Sequence, residues 1–292
     1  SQRPTLYQLR DLKLVPQQRQ QFINWALLVS LVALWGTSFL GIKISLRSFT
    51  PDQIVVLRLS IGAIVLIVFM LARGKMLPKN PIAWAHFMLL GLVGNVLPFW
   101  LIAKGQMFVT SGMAGLLMAF MPLITLILAH FFIADENLNR NKLLGFVLGI
   151  SGITLILGPT ILGSENSLLG CLLVLSAAVL YATNTIIARR LPTYNSAVVS
   201  TGVTICAALI SFMIWPSVLS IDWPQVSNFA LVTIIWLGVF PSLASFTMRS
   251  STSLAEYVTQ LGSCFVEGLV LPDCPCFLLY IRAIYITCAS HS

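Results

Sequence analysis

The sequence predicts an all-α membrane protein, a ten-helix inverted-repeat (5+5) fold whose last two helices are poorly formed. Three observations predict it. Of the 292 residues, 58% are hydrophobic and 9% are charged, and the mean hydropathy is +0.92. Apolar stretches of about 20 residues, long enough to cross a bilayer as a helix, recur along the chain. The residue pattern of the first half also returns in the second half.

The composition excludes three other classes of protein. A soluble domain carries about 25% charged residues, far more than this chain has. Disordered chains are poor in apolar residues and rich in charge, which is the opposite composition. A transmembrane β-barrel would show alternating segments of about ten residues rather than long apolar blocks. A polytopic helical membrane protein remains.

Eight membrane spans are predicted after a basic cytoplasmic leader at residues 1–22. Pro98 and Pro122 lie inside spans, where proline kinks a helix because it lacks a backbone N–H. Two later apolar stretches, 257–271 and 276–289, are too short to span comfortably, and residues 272–292 are interpreted as an aberrant C-terminal tail. The eight spans are 23–45, 53–72, 82–103, 109–132, 143–160, 168–188, 197–216 and 229–248.

An internal repeat appears at an offset of 146 residues. Residues 34–38 match residues 180–184, and the segment that begins at Gly91 matches the one at Gly238 with one residue of slippage. The predicted units are a first five-helix repeat at 23–160 and a second, incomplete repeat at 168–271. Because each unit holds an odd number of helices, the second enters the membrane in the opposite sense. Inverted repeats are common in secondary transporters, whose substrate sites lie near the membrane midplane.

Positive charge is concentrated in alternate loops of the chain, whose net charge is +8. This alternation predicts that these loops and the N-terminus are cytoplasmic, in a multi-pass protein of the cell (plasma or inner) membrane. The expected partners are a small-molecule solute and the lipid bilayer, and no nucleic acid; the sequence does not predict an oligomeric state. The residues are Arg3, Arg10, Lys13 and Arg19, then Arg73, Lys75 and Lys79, then Arg140 and Lys142, and then Arg189 and Arg190.

Several short motifs occur in a fixed order. They are the run Ala33-Leu34-Trp35-Gly36-Thr37-Ser38-Phe39, then Lys43, Pro51 and Arg58, then Ala114-Gly115, Pro122-Leu123 and Asp135-Glu136, and last Gly145, Gly149 and Gly152. Together they resemble an EamA-type member of the drug/metabolite transporter superfamily over about residues 23–248. The resemblance implies ten helices, both termini in the cytoplasm, and export or facilitated passage of small metabolites such as amino acids or related solutes.

The C-terminal part departs from that resemblance. Residues 257–260 lack the proline that the family has in its ninth helix, and a segment rich in cysteine and proline follows. We hypothesise a frameshift or a diverged tail, because the composition changes between Met248 and Gly268. Sequencing the coding region tests this idea, which an intact frame that matches close relatives to the last residue would contradict. The alternative function is therefore a non-transporting remnant or scaffold.

Two aromatic–polar pairs are candidates for substrate binding. Trp35 and Ser38 are three residues apart on a helix and share a face, as do Tyr181 and Asn184. The repeat makes the pairs equivalent and would bring them together across a central cavity. Aromatic rings beside small polar groups suit a solute with an apolar part and a few hydrogen-bonding groups. The alternative is that Trp35 and Tyr181 pack in the interior or anchor at the membrane interface.

Two further candidates are single polar residues inside spans. Asn95 lies in the middle of the third span, where a buried amide needs a partner on another helix or on the substrate. Arg58 lies in the second span and either extends toward the membrane surface or faces the cavity.

Absent residue types narrow the function further. Between residues 23 and 248, no Asp or Glu lies at the centre of an apolar span. Proton-driven antiport commonly uses such a carboxylate, so a neutral, zwitterionic or anionic solute is favoured. No convergent catalytic motif is present, so we do not expect an enzyme. Cys274-Pro275-Cys276 lacks a second ligand pair, so no metal and no cofactor are expected.

Overall fold

The computed structural model describes residues 36–133, 151, 167–192 and 194–250, which are helical apart from the connecting turns. The leader, the fifth predicted span, the two short C-terminal stretches and the tail lie outside these residues. Predictions about them, and about the domain boundaries, therefore stay predictions.

Seven helices lie within the described residues. Those from α2 to α6 contain stretches long and apolar enough to cross a membrane, and residues 228–243 of α7 form a shorter apolar stretch. A multi-pass helical membrane protein is thereby supported, whereas the ten-helix arrangement goes beyond the described residues. The helices are α1 at 36–45, α2 at Pro51–Ala72, α3 at Pro81–Gly105, α4 at Ser111–Phe132, α5 at Leu168–Arg190, α6 at Ser196–Ile214 and α7 at Asn228–Ser250.

Local sequence sets the starts of α2 and α3. The Thr50 backbone N–H donates to Gln53 Oε1 at 3.0 Å, and the Gln53 N–H donates to Thr50 Oγ1 at 3.4 Å, which forms a capping box. Asn80 Oδ1 accepts from the Ile82 N–H at 2.9 Å. A proline occupies the first position of both helices, where its missing N–H removes no helical hydrogen bond.

Helices α3 and α4 are each interrupted beside a proline. In α3, residues Leu92–Val96 form one wider π-helical turn directly before the segment that contains Pro98. In α4, a turn at residues 119–120 separates the segments Ser111–Met118 and Met121–Phe132, and Pro122 begins the second. Both prolines that the sequence analysis expected to distort spans therefore lie at breaks, because each removes a helical hydrogen bond.

Two glycines let helices from the two halves of the chain approach closely. A β-carbon added at Gly91 of α3 would lie 2.9 Å from the carbonyl oxygen of Val203 on α6. One added at Gly238 of α7 would lie 2.6 Å from Cβ of Ile61 on α2. Small residues that allow such contacts are typical of helix packing in membranes.

The buried faces of α3 and α7 carry the same pattern. The α3 residues pack against the end of α5 and the start of α6, and the α7 residues pack against the end of α1 and the turn that follows it. Buried residues and a glycine thus recur with the one-residue slippage that the sequence comparison gave. The corresponding residues are Ala83 and Ala230, Phe87 and Ile234, Leu90 and Leu237, and Gly91 and Gly238.

Lys43, near the end of α1, holds the turn between α3 and α4. Its Nζ donates to the carbonyl oxygens of Gln106 at 2.6 Å and Val109 at 3.0 Å. These carbonyls follow the end of α3, where the helix leaves such groups without partners. The ammonium group therefore supplies hydrogen bonds that the helix end lacks.

Candidate functional site

A cationic and aromatic cluster forms between α2, α3 and α5, and it consists of Arg58, Phe99 and Tyr181. The Arg58 guanidinium carbon lies 3.9 Å from the centre of the Phe99 ring. The Phe99 ring meets the Tyr181 ring edge to face, with ring centres 6.4 Å apart. All three side chains are half-buried. A guanidinium so close to a ring face is attracted by the ring's negative face.

Arg58 is the charged member of this cluster and lies well inside its helix. It is the eighth residue of α2, about 10 Å along the axis from the helix start at the usual rise per residue. A charge near the centre of a bilayer costs about 3 kcal/mol on insertion scales, so its surroundings have to offset that cost. Phe99 and the nearby Tyr181 supply part of the offset.

The acidic side chains of the described residues have other partners. Those residues contain two carboxylates. Asp52 Oδ1 accepts a hydrogen bond from Trp100 Nε1 at 2.6 Å, and Asp222 Oδ2 accepts one from Gln225 Nε2 at 2.6 Å. Arg58 therefore has no carboxylate partner within the part of the chain that the structure describes.

A second polar group, the Asn184 amide, lies beside the π-helical turn of α3. A β-carbon added at Gly94 would lie 2.5 Å from Asn184 Nδ2, so the side chain packs directly on this glycine. The Asn184 Oδ1 atom is buried and has no hydrogen-bond partner among the described protein atoms. A buried amide oxygen without a partner costs free energy, which a bound hydrogen-bond donor would recover.

A tryptophan pair lies next to the start of α2. The Trp100 and Trp215 rings stack nearly parallel, at 12° with centres 5.8 Å apart, while Trp100 holds Asp52. Trp215 follows α6, so this contact ties the end of α6 to α3 and α2. The Asp52 carboxylate is thereby held at the helix end rather than in the interior.

The structure brings together some of the predicted site residues. Arg58 and Tyr181 meet through Phe99, and Tyr181 and Asn184 lie one turn apart on α5. Asn95 lies half-buried in the π-helical turn of α3, and Ser38 is buried in α1. Trp35 lies outside the described residues, so its predicted pairing with Ser38 across from Tyr181 stays untested.

Sequence reasoning missed Phe99, which connects the two predicted residues that do meet. Phe99 follows Asn95 by four residues, and that spacing puts both on one face of a helix, so the signal was available. The contact between Trp100 and Asp52 had no comparable signal, because the two residues lie on different helices. The described residues contain no group of three or more His, Cys, Asp or Glu side chains that could hold a metal ion.

Comparison with known proteins identifies the first half of the chain. Residues 23–158 match the model of the EamA-like transporter family. This part of the chain is similar to EamA-like transporters. The resemblance to EamA-type transporters is therefore confirmed, and with it the expectation of a transmembrane transport protein.

Several proteins to which this chain is similar are named as transporters. The chain is 26% identical over 260 residues to the "Uncharacterized transporter YdfC" of Bacillus subtilis, an alignment that covers 85% of this chain and 83% of that protein. It is 28% identical over 203 residues to the "Probable amino-acid metabolite efflux pump" of Escherichia coli. The second alignment covers 67% of this chain and 60% of the pump, so it leaves much of the pump unmatched.

A solved structure shares the fold of this chain. The match has a TM-score of 0.52 and 22% sequence identity, and it covers 84% of this chain and 91% of the solved one, which is titled "Crystal structure of protein". At this identity the likeness concerns the fold alone.

Proposed function

We propose that this protein carries small metabolites, such as amino acids or related solutes, across the cell (plasma or inner) membrane as an exporter or facilitator. The cluster of Arg58, Phe99 and Tyr181 supports this proposal most, because it places a cation without a described counter-ion beside aromatic rings. The name of the Escherichia coli relative, an amino-acid metabolite efflux pump, points to the same class of solute.

The proposed architecture is ten helices in two inverted repeats, with the substrate between them. The matching buried patterns of α3 and α7 support it, since equivalent helices would use equivalent faces. The proposed substrate-binding residues are Trp35, Ser38, Arg58, Asn95, Tyr181 and Asn184.

Transport is tested with the purified full chain in proteoliposomes. The vesicles are loaded with an unlabelled solute, and uptake of the labelled form is followed for a panel of amino acids, organic acids, amines and sugars. We expect counterflow for at least one amino acid or organic acid, with no requirement for a pH gradient. Empty liposomes and vesicles with the denatured protein are the controls. Uptake equal to these controls for the whole panel would exclude transport.

The second candidate function is a non-transporting remnant or scaffold. The observation that favours it is the change in composition beyond Met248, in the second of the two proposed repeats. The same panel separates the two candidates, because a remnant gives a folded, membrane-inserted protein without counterflow of any solute.

The orientation in the membrane gives a further prediction. In a variant whose six native cysteines are replaced by serine, single cysteines are introduced at three exposed positions as Lys75→Cys, Pro192→Cys and Ser220→Cys. In intact cells, a membrane-impermeant maleimide should label position 220 and leave positions 75 and 192 unlabelled until the cells are opened. Labelling of positions 75 and 192 from opposite sides would contradict the inverted repeat.

A further inference from the structure

The charge on Arg58 is only partly compensated by the described side chains around it. A cation that is partly withdrawn from water is stabilised by a charged partner and by hydrogen bonds, and a ring face supplies attraction without accepting a guanidinium hydrogen bond in the usual geometry. The guanidinium has five N–H donors, and the two described carboxylates are held by Trp100 and Gln225. An anion that enters between α2, α3 and α5 would complete this site.

We infer that the Arg58 guanidinium binds the carboxylate of a small organic acid whose apolar or aromatic body lies against Phe99 and Tyr181. This inference rests on the proposed transport function and names the solute class that the cluster selects. It assigns Arg58 as the specificity-determining residue of the site.

The geometry favours a carboxylate through the orientation of the donors. The guanidinium carbon lies 3.9 Å from the Phe99 ring centre, so the ring is in direct contact with the group. A guanidinium carries its N–H donors in its own plane, where they suit two parallel hydrogen bonds to a carboxylate. A lysine at this position would present a single rotating point charge instead.

The charge balance favours a singly charged acid over a phosphate or a cation. A phosphate group carries about −1.5 to −2 charges at neutral pH and would need more than one cation. The Lys43 ammonium directs its hydrogen bonds to the carbonyls of Gln106 and Val109, in the turn after α3. A cationic solute would be repelled by Arg58. One carboxylate neutralises one guanidinium.

The aromatic side chains indicate what the rest of the solute contains. Phe99 and Tyr181 meet edge to face and are half-buried, so each ring keeps an uncovered part. Burial of apolar solute area against these rings is favourable, at about 25 cal/mol per Å². A small acid with an apolar or aromatic body satisfies both the cation and the rings.

The test compares two ligands of nearly equal shape, 3-phenylpropionate and its neutral amide 3-phenylpropionamide. Affinity is measured at pH 7 by isothermal titration of the full chain in lipid nanodiscs. The wild-type protein should bind the carboxylate at least about tenfold more tightly than the amide, because only the carboxylate pairs with the guanidinium.

Three variants locate that preference. Arg58→Gln should lose the preference for the carboxylate and bind the two ligands equally, and Arg58→Lys should keep a reduced preference. Arg73→Gln, at the exposed far end of α2, is the matched control and should keep the full preference. Size-exclusion profiles identify any variant that is not folded. If Arg58→Gln does not fold, Arg58→Lys decides, because an unreduced preference in that variant contradicts bidentate binding.

Binding and transport are judged separately. Equal affinity for the two ligands in the wild-type protein, binding of neither ligand, or a preference that survives Arg58→Gln would overturn the carboxylate assignment and leave the transport proposal standing. Selective carboxylate binding without counterflow of any solute in the panel would keep the assignment and overturn transport.

Discussion

Replacing Gly91 by leucine should leave little folded protein, and replacing Gly238 should have the same effect. A β-carbon at Gly91 already comes within 2.9 Å of a backbone oxygen, and one at Gly238 comes within 2.6 Å of the Ile61 β-carbon. Neither obstacle is the mobile end of a flexible side chain. Added carbons in a tight contact cost about 1–3 kcal/mol, and a whole leucine at these contacts should cost at least the upper value. Thermal unfolding in detergent measures the loss.

Gly112→Leu is the matched control for both substitutions. Gly112 also lies in a helix of the first half, but a β-carbon there would meet no atom within 4 Å. Leucine favours a helix more than glycine does, so this variant should be as stable as the wild-type protein or slightly more stable. A wild-type melting temperature for Gly91→Leu would show that α3 and α6 are not in contact at this point. A loss confined to one of the two glycines would weaken the equivalence of α3 and α7.

Replacing Gly94 by alanine should destabilise the protein by about 1–3 kcal/mol, because the new methyl group overlaps the Asn184 amide. Asn184→Ala removes the obstructing atoms, so the double variant should regain most of that loss. The coupling in this double-mutant cycle should be about 1–3 kcal/mol and is measured by thermal or denaturant unfolding in detergent.

Counterflow distinguishes packing from substrate contact in the same variants. If Asn184 binds solute, the double variant should be stable and still transport poorly, because the amide oxygen that accepts a solute hydrogen bond is gone. A double variant that transports like the wild-type protein would assign Asn184 to helix packing. Additive losses of stability would show that Gly94 and Asn184 do not touch. Gly115→Ala in α4 is the control for Gly94→Ala. The added carbon there would make an ordinary contact with Phe39 at 3.8 Å, so this variant should keep the stability of the wild-type protein.

The positions of the described helices could be predicted from the sequence within a few residues. Bilayer thickness fixes the length of an apolar span, and residues such as Thr50 and Asn80 mark helix starts through local hydrogen bonds. Pro98 and Pro122 mark the breaks for the same local reason, since a missing N–H acts within one turn. The EamA resemblance was also readable, because it rests on the order of short motifs.

The candidate site was only partly predictable. Tyr181 and Asn184 could be paired from their spacing on one helix, and Arg58 was recognised as a charge inside a span. Its position over Phe99 was not predictable, because a charged side chain in a span can extend to the surface or turn inward. The contacts of Lys43, near the end of α1, were not predictable either. Its side chain donates hydrogen bonds to the carbonyl oxygens of Gln106 and Val109, which lie 63 and 66 residues further along the chain.

The sequence by itself determined that this chain is a helical membrane protein, where its described helices lie, and which family its first half matches. These properties depend on composition and on contacts within one helix. The tertiary structure decided that Arg58 lies over Phe99 beside Tyr181, that Asn184 packs on Gly94, and that Gly91 and Gly238 make equivalent close contacts. Those contacts join different helices, and their geometry depends on how the helices pack, which residue spacing along the chain does not encode.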